Sequence, residues 1–246
     1  MIVSVHLADI GARAALAALR DRPHPGNTPG LRYAETTITG GIAAGLPKVR
    51  LGRAALIAAW EDDAALDRFL AEDPTARRLA RGWHVRLQPL RVSGSWSPMP
   101  VDIAPAAALD DEDGPVAVLT LGRLRLRRAV PFLRANSRAS GQAAADPSMV
   151  ASIALARPPR FVATFSIWRS ESAMSRYAYG TAQPRQRGVA TRHESAGNQH
   201  KQVIKQHQAD PFHHEAAFVR FRPYASQGTL DGREPVAAAM AAATQP

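Results

Sequence analysis

Among the eight histidines of the chain, the run HKQVIKQH at residues 200–207 has the spacing that suggests chemistry. His200, Val203, Ile204 and His207 fall at i, i+3, i+4 and i+7, which is one stripe of a helix. Two readings stay open for that stripe. In one, His200 caps or packs the helix. In the other, a neutral imidazole beside Val203 and Ile204 faces an apolar slot, as a proximal ligand of a haem iron must. The spacing argues against a shared zinc, because seven residues of helix separate the two rings by about 10.5 Å. The other histidines are weaker candidates. His213 and His214 precede a strand and are expected to be exposed, His193 sits in a polar loop, and His6 and His84 read as packing residues of strands. Asp62 and Asp63 read as helix-start residues rather than a catalytic pair. No GxSxG, P-loop or GxGxxG pattern occurs. The absence of Cys removes thiolate nucleophiles, disulfides and Cys-ligated metal.

The elements that must position these residues come from an internal repeat. IVSVHLADIGARAALAALR (2–20) aligns with VAVLTLGRLRLRRAVPFLR (116–134), and LIAAWEDDAALDRF (56–69) with TFSIWRSESAMSRY (164–177). HVRLQP (84–89) aligns with FVRFRP (218–223), each followed at equal distance by a Gly, Gly94 and Gly228. Three matches in one order imply duplication. Period-2 and period-3.6 patterning predicts strand 2–8, helix 11–21, strands 31–38 and 54–60, helix 62–80 and strand 83–92. The second copy predicts strand 116–121, helix 127–136, strands 149–156 and 161–168, helix 170–179 continued at 198–208, and strand 215–223. Each half is then β-α-β-β-α-β. A four-stranded sheet with helices on one face leaves its other face apolar, and two copies bury those faces against each other. The expected fold is α+β, with duplicated ferredoxin-like halves packed as a pseudo-dimeric α+β barrel. The expected layout is a first half at 1–96, an acidic, Pro-rich linker at 97–115, a second half at 116–234 and a weakly specified tail at 235–246. Residues 180–199 read as a long polar loop.

Composition bounds the partners. The 246 residues carry 31 Lys+Arg against 21 Asp+Glu, a net +10. The basic residues are dispersed, however, and the densest run, Arg123, Arg125, Arg127 and Arg128, has no aromatic for base stacking. That run reads as a solvated face, and no nucleic-acid partner is expected. No stretch reaches the ~20 apolar residues needed to span a bilayer, and the N-terminus lacks the basic start of a signal peptide. A cytoplasmic protein without stable membrane insertion is expected, with exposed sheet edges available for a homo-oligomer.

FVATFSIWRSESAMSRYAYG (161–180), then HKQVIKQHQADPFHHEAAFVRFRPYASQGTLDGREP (200–235), resembles the spheroidene monooxygenase family of carotenoid ketolases. LIAAWEDDAALDRFLAEDPTARRLARGWHVRLQPLRVSGSW (56–96) is similar to the same family. The resemblance implies a haem b enzyme that oxidises an apolar small molecule. The family's helix-borne His falls on His200, making it the implied iron ligand, with Val203 and Ile204 against the macrocycle. Glu215, Arg220 and Phe221 match the family's strand, and Arg220 is a candidate partner for a haem propionate. The family's Gly-rich stretch is reduced to TGGIAAGL (39–46), where Gly41 and Gly45 remain to let backbone approach haem or substrate closely. ALAR (154–157) replaces a G-x-G-E segment, with Arg157 in place of an acid, and the loop 180–199 is longer. These departures leave the substrate open. A haem-binding protein without turnover, a haem-dependent dehydratase and a cofactor-free barrel protein remain alternatives.

Overall fold

Val3, Val5 and Leu7 alternate with Ser4, His6 and Ala8 along the first strand, and both sets are buried. A strand buried on both sides needs cover on both faces. A computed structural model, which describes residues 1–41, 48–99, 113–128, 146–179 and 213–243, shows what supplies it. The first half comprises β1 (Ile2–Asp9), α1 (Ala12–Arg20), β2 (Leu31–Gly41), β3 (Lys48–Trp60), α2 (Asp63–Glu72), α3 (Pro74–Leu79) and β4 (Trp83–Gly94). The second comprises β5 (Val116–Leu124), a 3-10 turn (Leu126–Arg128), β6 (Met149–Arg157), β7 (Phe161–Trp168), α4 (Glu171–Tyr179) and β8 (His213–Gln227), with α5 (Pro235–Ala243) following.

The strands close into one barrel in the order β1-β3-β2-β6-β7-β5-β8-β4. Within it β4-β1-β3-β2 and β8-β5-β7-β6 are the same ferredoxin-like order twice. The halves meet where like strands pair antiparallel, β2 with β6 through Thr39 opposite Leu155, and β4 with β8. The expected α+β duplication is therefore what the chain forms. Every strand has a neighbour on both sides, although the β2–β6 seam pairs only Ile38–Gly40 with Ala154–Ala156.

Inward-pointing side chains from both halves, including Val5, Ile57, Val85, Leu119, Phe165 and Phe221, fill the barrel. Both mouths are stoppered. At one, Val236 and Ala239 of α5 join the core, so the tail expected to be weakly specified is a helix that closes the barrel. At the other, Trp96 and Met99 are buried, with Trp96 Nε1 donating to Tyr33 Oη at 3.3 Å. Met99, in the expected linker, thus belongs to the core. Beside them Arg157 donates through Nε and Nη2 to the buried Glu35, the second contact at 3.1 Å. This explains the basic residue at 157: it neutralises an acid from the other half.

Two details mark the duplication in the backbone. Gly94 and Gly228 end equivalent strands at φ of 86° and 84°, and a Cβ on either would meet a carbonyl oxygen, of Ala216 and Gly82 respectively. Only glycine adopts that conformation there without strain. The first half's long helix is broken where the sequence reading had it continuous over 62–80. Pro74 has no N–H to continue α2, and Asp73 Oδ1 accepts from Thr75 N at 2.6 Å to start α3. Of the helix expected at 127–136, the described part is the 3-10 turn; the segment 198–208 lies outside the described residues.

Candidate functional site

The outer faces of the two halves are equivalent in backbone and different in filling. Trp60 and Trp168 end β3 and β7 and fix the equivalence, because each lies opposite the first residue of its neighbouring strand, Ile2 and Val116. Four residues before each Trp stand Leu56 and Thr164. In the first half the cross-strand row is His84, His6, Leu56, Thr36. In the second it is Phe218, Thr120, Thr164, Ala154. One pleat along, Ala8, Ala54 and Ile38 correspond to Gly122, Val162 and Ala156. The second face has thus lost an imidazole, an isobutyl group and several methyls from its centre, with gains at Val162 and, at the β8 edge, at Phe218 in place of His84.

Cover differs as well. α1, α2 and α3 bury the first face, where Leu56 is 0% and His6 2% exposed. Of the described helices only α4 lies on the second face, packing Met174, Tyr177 and Ala178 on Trp168, Val116 and Val118. Trp168 and Tyr177 rings lie 5.1 Å apart, and burial pushes the Tyr177 hydroxyl up to about 12. The rest of this face, Thr120, Thr164, Ala154, Val162 and Ala156, is half-buried, and Phe218 is 48% exposed. The result is a flat floor of small side chains carrying two hydroxyls, bounded by an aromatic-lined helix.

The rim of the floor is scaffold. Arg220 Nη1 donates to Glu171 Oε1 at 2.8 Å. Arg86 Nη1 donates to Asp63 Oδ1 at 2.6 Å from the equivalent strand position to the equivalent helix. The Arg220 contact therefore has a structural twin in the half with the filled face. Helix starts match too. Asp62 Oδ1 accepts from Ala65 N at 2.9 Å, and Ser170 Oγ from Ala173 N at 3.2 Å; Asp62 and Asp63 serve the helix, as expected. Gly41 ends β2 beside Gly40, which pairs with Ala154, so it stands at the floor's edge. His200, Val203, Ile204 and Gly45 lie outside the described residues, as do His193 and His207.

The remaining histidines divide sharply. His6 packs as expected: its Nε2 lies 2.9 Å from Ser4 Oγ and its ring stacks on His84 at 5.1 Å. His213, expected exposed, is half-buried, its ring lying against Gly122 on the second face; His214 is exposed. Sequence could not show this, because an ordinary strand start says nothing about a bulge, and the register shifts between Arg123 and Leu124. Among the described residues no group of three His, Cys, Asp or Glu could hold a metal; a haem needs one protein ligand to its iron, a flat slot and a cationic partner for its propionates. An open pocket of about 370 Å³ at the β4–β8 seam is lined by Asp63, His84, Arg86 and Tyr224. Asp63 accepts from both Arg86 and Tyr224 there, so its charges are already satisfied.

No protein-family model matches the chain. The chain is similar to the spheroidene monooxygenase of Rubrivivax gelatinosus, at 30% identity over 211 residues, 83% of this chain and 73% of that protein. It is similar to the spheroidene monooxygenase of Cereibacter sphaeroides at 27% over 195 residues, 76% of this chain and 54% of that one, so it spans about half the length of this second relative. Solved structures similar to it include an aldoxime dehydratase (11% identity, 90% and 81% of the two chains covered, TM-score 0.43). Another is a heme-degrading enzyme of Listeria monocytogenes (15%, 89% and 98%, TM-score 0.28). With TM-scores below 0.5, neither structure bears on the function.

Proposed function

The chain belongs to the spheroidene monooxygenase family, and on that footing we propose that it is a haem-dependent monooxygenase-like enzyme acting on an apolar small molecule at the outer face of its second half. The supporting observation is the contrast at matched positions: Leu56 and His6 fill one face, Thr164 and Thr120 leave the other flat. In this reading the floor would receive haem b, His200 would hold its iron, and Val203 and Ile204 would border the ring. When bound, the haem supplies the activation of oxygen.

The chain supplies the rest. Ala154, Ala156 and Val162 form an apolar floor that takes a planar ring and excludes water from beneath it, with the His213 ring over Gly122 at its end. The hydroxyls of Thr120 and Thr164 give that floor two hydrogen-bonding groups of fixed position. Arg220 and Glu171 hold the start of α4 against the sheet, and Gly41 lets backbone approach the ligand at the β6 edge. An apolar substrate suits such a floor, because binding it releases water from a surface with few polar partners to lose.

Protein purified from haem-supplied cells should show a Soret band that shifts or disappears in His200→Ala. Absence of the band in the wild type, or a band indifferent to that substitution, overturns the assignment. Consumption of oxygen or peroxide in the presence of apolar polyenes separates turnover from haem binding alone.

No described helix is long and apolar enough to cross a membrane.

A further inference from the structure

We propose that the place above Thr120, between Phe218 and Tyr177, is a specificity notch that takes a flat, uncharged, unsaturated substituent of the bound macrocycle. The proposal rests on the reading of the face as a haem site.

In the first half three aromatic side chains form one cluster on the outer face, and the His6 ring is its middle member. It stacks on His84 at 5.1 Å with 22° between the planes, and meets Phe69 of α2 edge-on at 6.3 Å. Phe69 in turn packs on Trp60 at 4.9 Å. The second half keeps both outer members. Phe218 stands opposite Thr120 as His84 stands opposite His6. Tyr177 follows Trp168 at the spacing by which Phe69 follows Trp60, and its ring packs on that tryptophan at 5.1 Å. The middle member alone is missing, because β5 carries Thr120 where β1 carries His6.

Strand alternation sets the direction of these side chains. Leu119, Leu121, Ala217 and Val219 line the barrel interior, so Thr120 and Phe218 point to the outer face. Among the described residues no ring takes the place of His6. Phe218 is 48% exposed and has no ring packed on it, and Thr120 is half-buried, whereas His6 is 2% exposed. An aromatic side chain without its stacked neighbour forgoes both burial and the favourable ring–ring geometry.

The vacancy selects its occupant. The row Phe218, Thr120, Thr164, Ala154 holds no charge, and Arg220, the next outward residue along β8, is committed to Glu171. A charged group would lose hydration there and find no partner. A flat, unsaturated carbon group stacks on Phe218 as the imidazole of His6 stacks on His84. Phe218 is thus a positioning residue, which fixes the edge of the macrocycle that lies toward β8.

The test titrates wild type, Phe218→Leu, Phe218→Tyr and Thr120→Phe with iron protoporphyrin IX and with iron deuteroporphyrin IX, in which hydrogens replace the two vinyl groups. Binding is followed by the Soret band and by tryptophan fluorescence. The wild type should favour the vinyl porphyrin. Phe218→Leu removes the stacking face and Thr120→Phe fills the notch with a ring, so each should shrink that preference by about 2- to 10-fold, the worth of one aromatic pair. Phe218→Tyr keeps the ring and should keep the preference. A wild type with no preference overturns the notch alone while its spectrum depends on His200, and so does a preference that survives Phe218→Leu and Thr120→Phe. Equal weakening of both porphyrins also overturns it, since the effect would then be general damage to the face. A wild type that takes up neither porphyrin overturns the notch and the haem reading together.

Discussion

Thr164→Leu restores on the second face the residue that fills the first, and Leu56→Ala carves the first face toward the second. Leu56 is 0% exposed, so its truncation removes a packed side chain and leaves a cavity, at about 3 kcal/mol. For a chain of this size that lowers the melting temperature by roughly 6–12 °C. Thr164 is half-buried, so the added methyls of Thr164→Leu are only partly covered and change stability by less than about 1 kcal/mol. Ligand binding reverses the order. A leucine in the middle of the floor must be displaced before a planar ring can lie flat, a repacking cost of about 1–3 kcal/mol, which weakens haem binding by roughly 5- to 150-fold. Leu56→Ala should leave affinity unchanged. The assays are thermal unfolding of the apoprotein and a Soret-monitored haem titration. If Thr164→Leu binds haem like the wild type, or melts as low as Leu56→Ala, the second face is ordinary core and the reasoning fails.

Other outcomes follow from the scaffold. Glu35→Gln leaves Arg157 without its buried counter-charge and should cost about 3 kcal/mol in urea unfolding, with Glu35→Leu/Arg157→Leu recovering most of it. Burial, followed by the charges of His84 and Arg86, pushes His6 from 6.5 down to about 3. The unfolded chain takes up that proton as pH falls through 6.5, and the folded chain does not until about 3. Stability is therefore full above that window and declines through it, by up to ~1.4 kcal/mol per pH unit from this ring; His6→Asn should flatten the pH dependence of the melting temperature between 6.5 and 4. Truncation after Glu234 removes Val236 and Ala239 from the barrel mouth and should destabilise by roughly 2–4 kcal/mol, read as a lower urea midpoint.

Much of the scaffold was legible because duplication writes the same local signals twice. Trp60 and Trp168 end equivalent strands, Asp62 and Ser170 begin equivalent helices, and Gly94 and Gly228 take the same left-handed turn. The break at Asp73–Pro74 was also written in the chain, since proline cannot continue a helix, but a continuous apolar stripe masked it. The candidate site was less legible. The histidine stripe at 200–207 is a local pattern and could be read as one, whereas the contacts of His213 depend on a register shift in β5–β8 that no local pattern encodes. The arginine run 123–128 is solvated in part, as expected: Arg123 and Arg127 are exposed, while Arg125 and Arg128 are half-buried where the strand ends.

Local signals set the repeat, the order of the strands in each half and hence the α+β class, because these follow from periodicity, caps and turns acting over a few residues. The tertiary structure alone decided that Glu35 meets Arg157 across 122 residues, that Val236 and Met99 stopper the barrel, and that one outer face is filled while its twin is flat. Those outcomes depend on which surfaces meet once two similar halves close on each other, and pairing across such separations is set by the sum of packing in the closed barrel rather than by any segment's own preference.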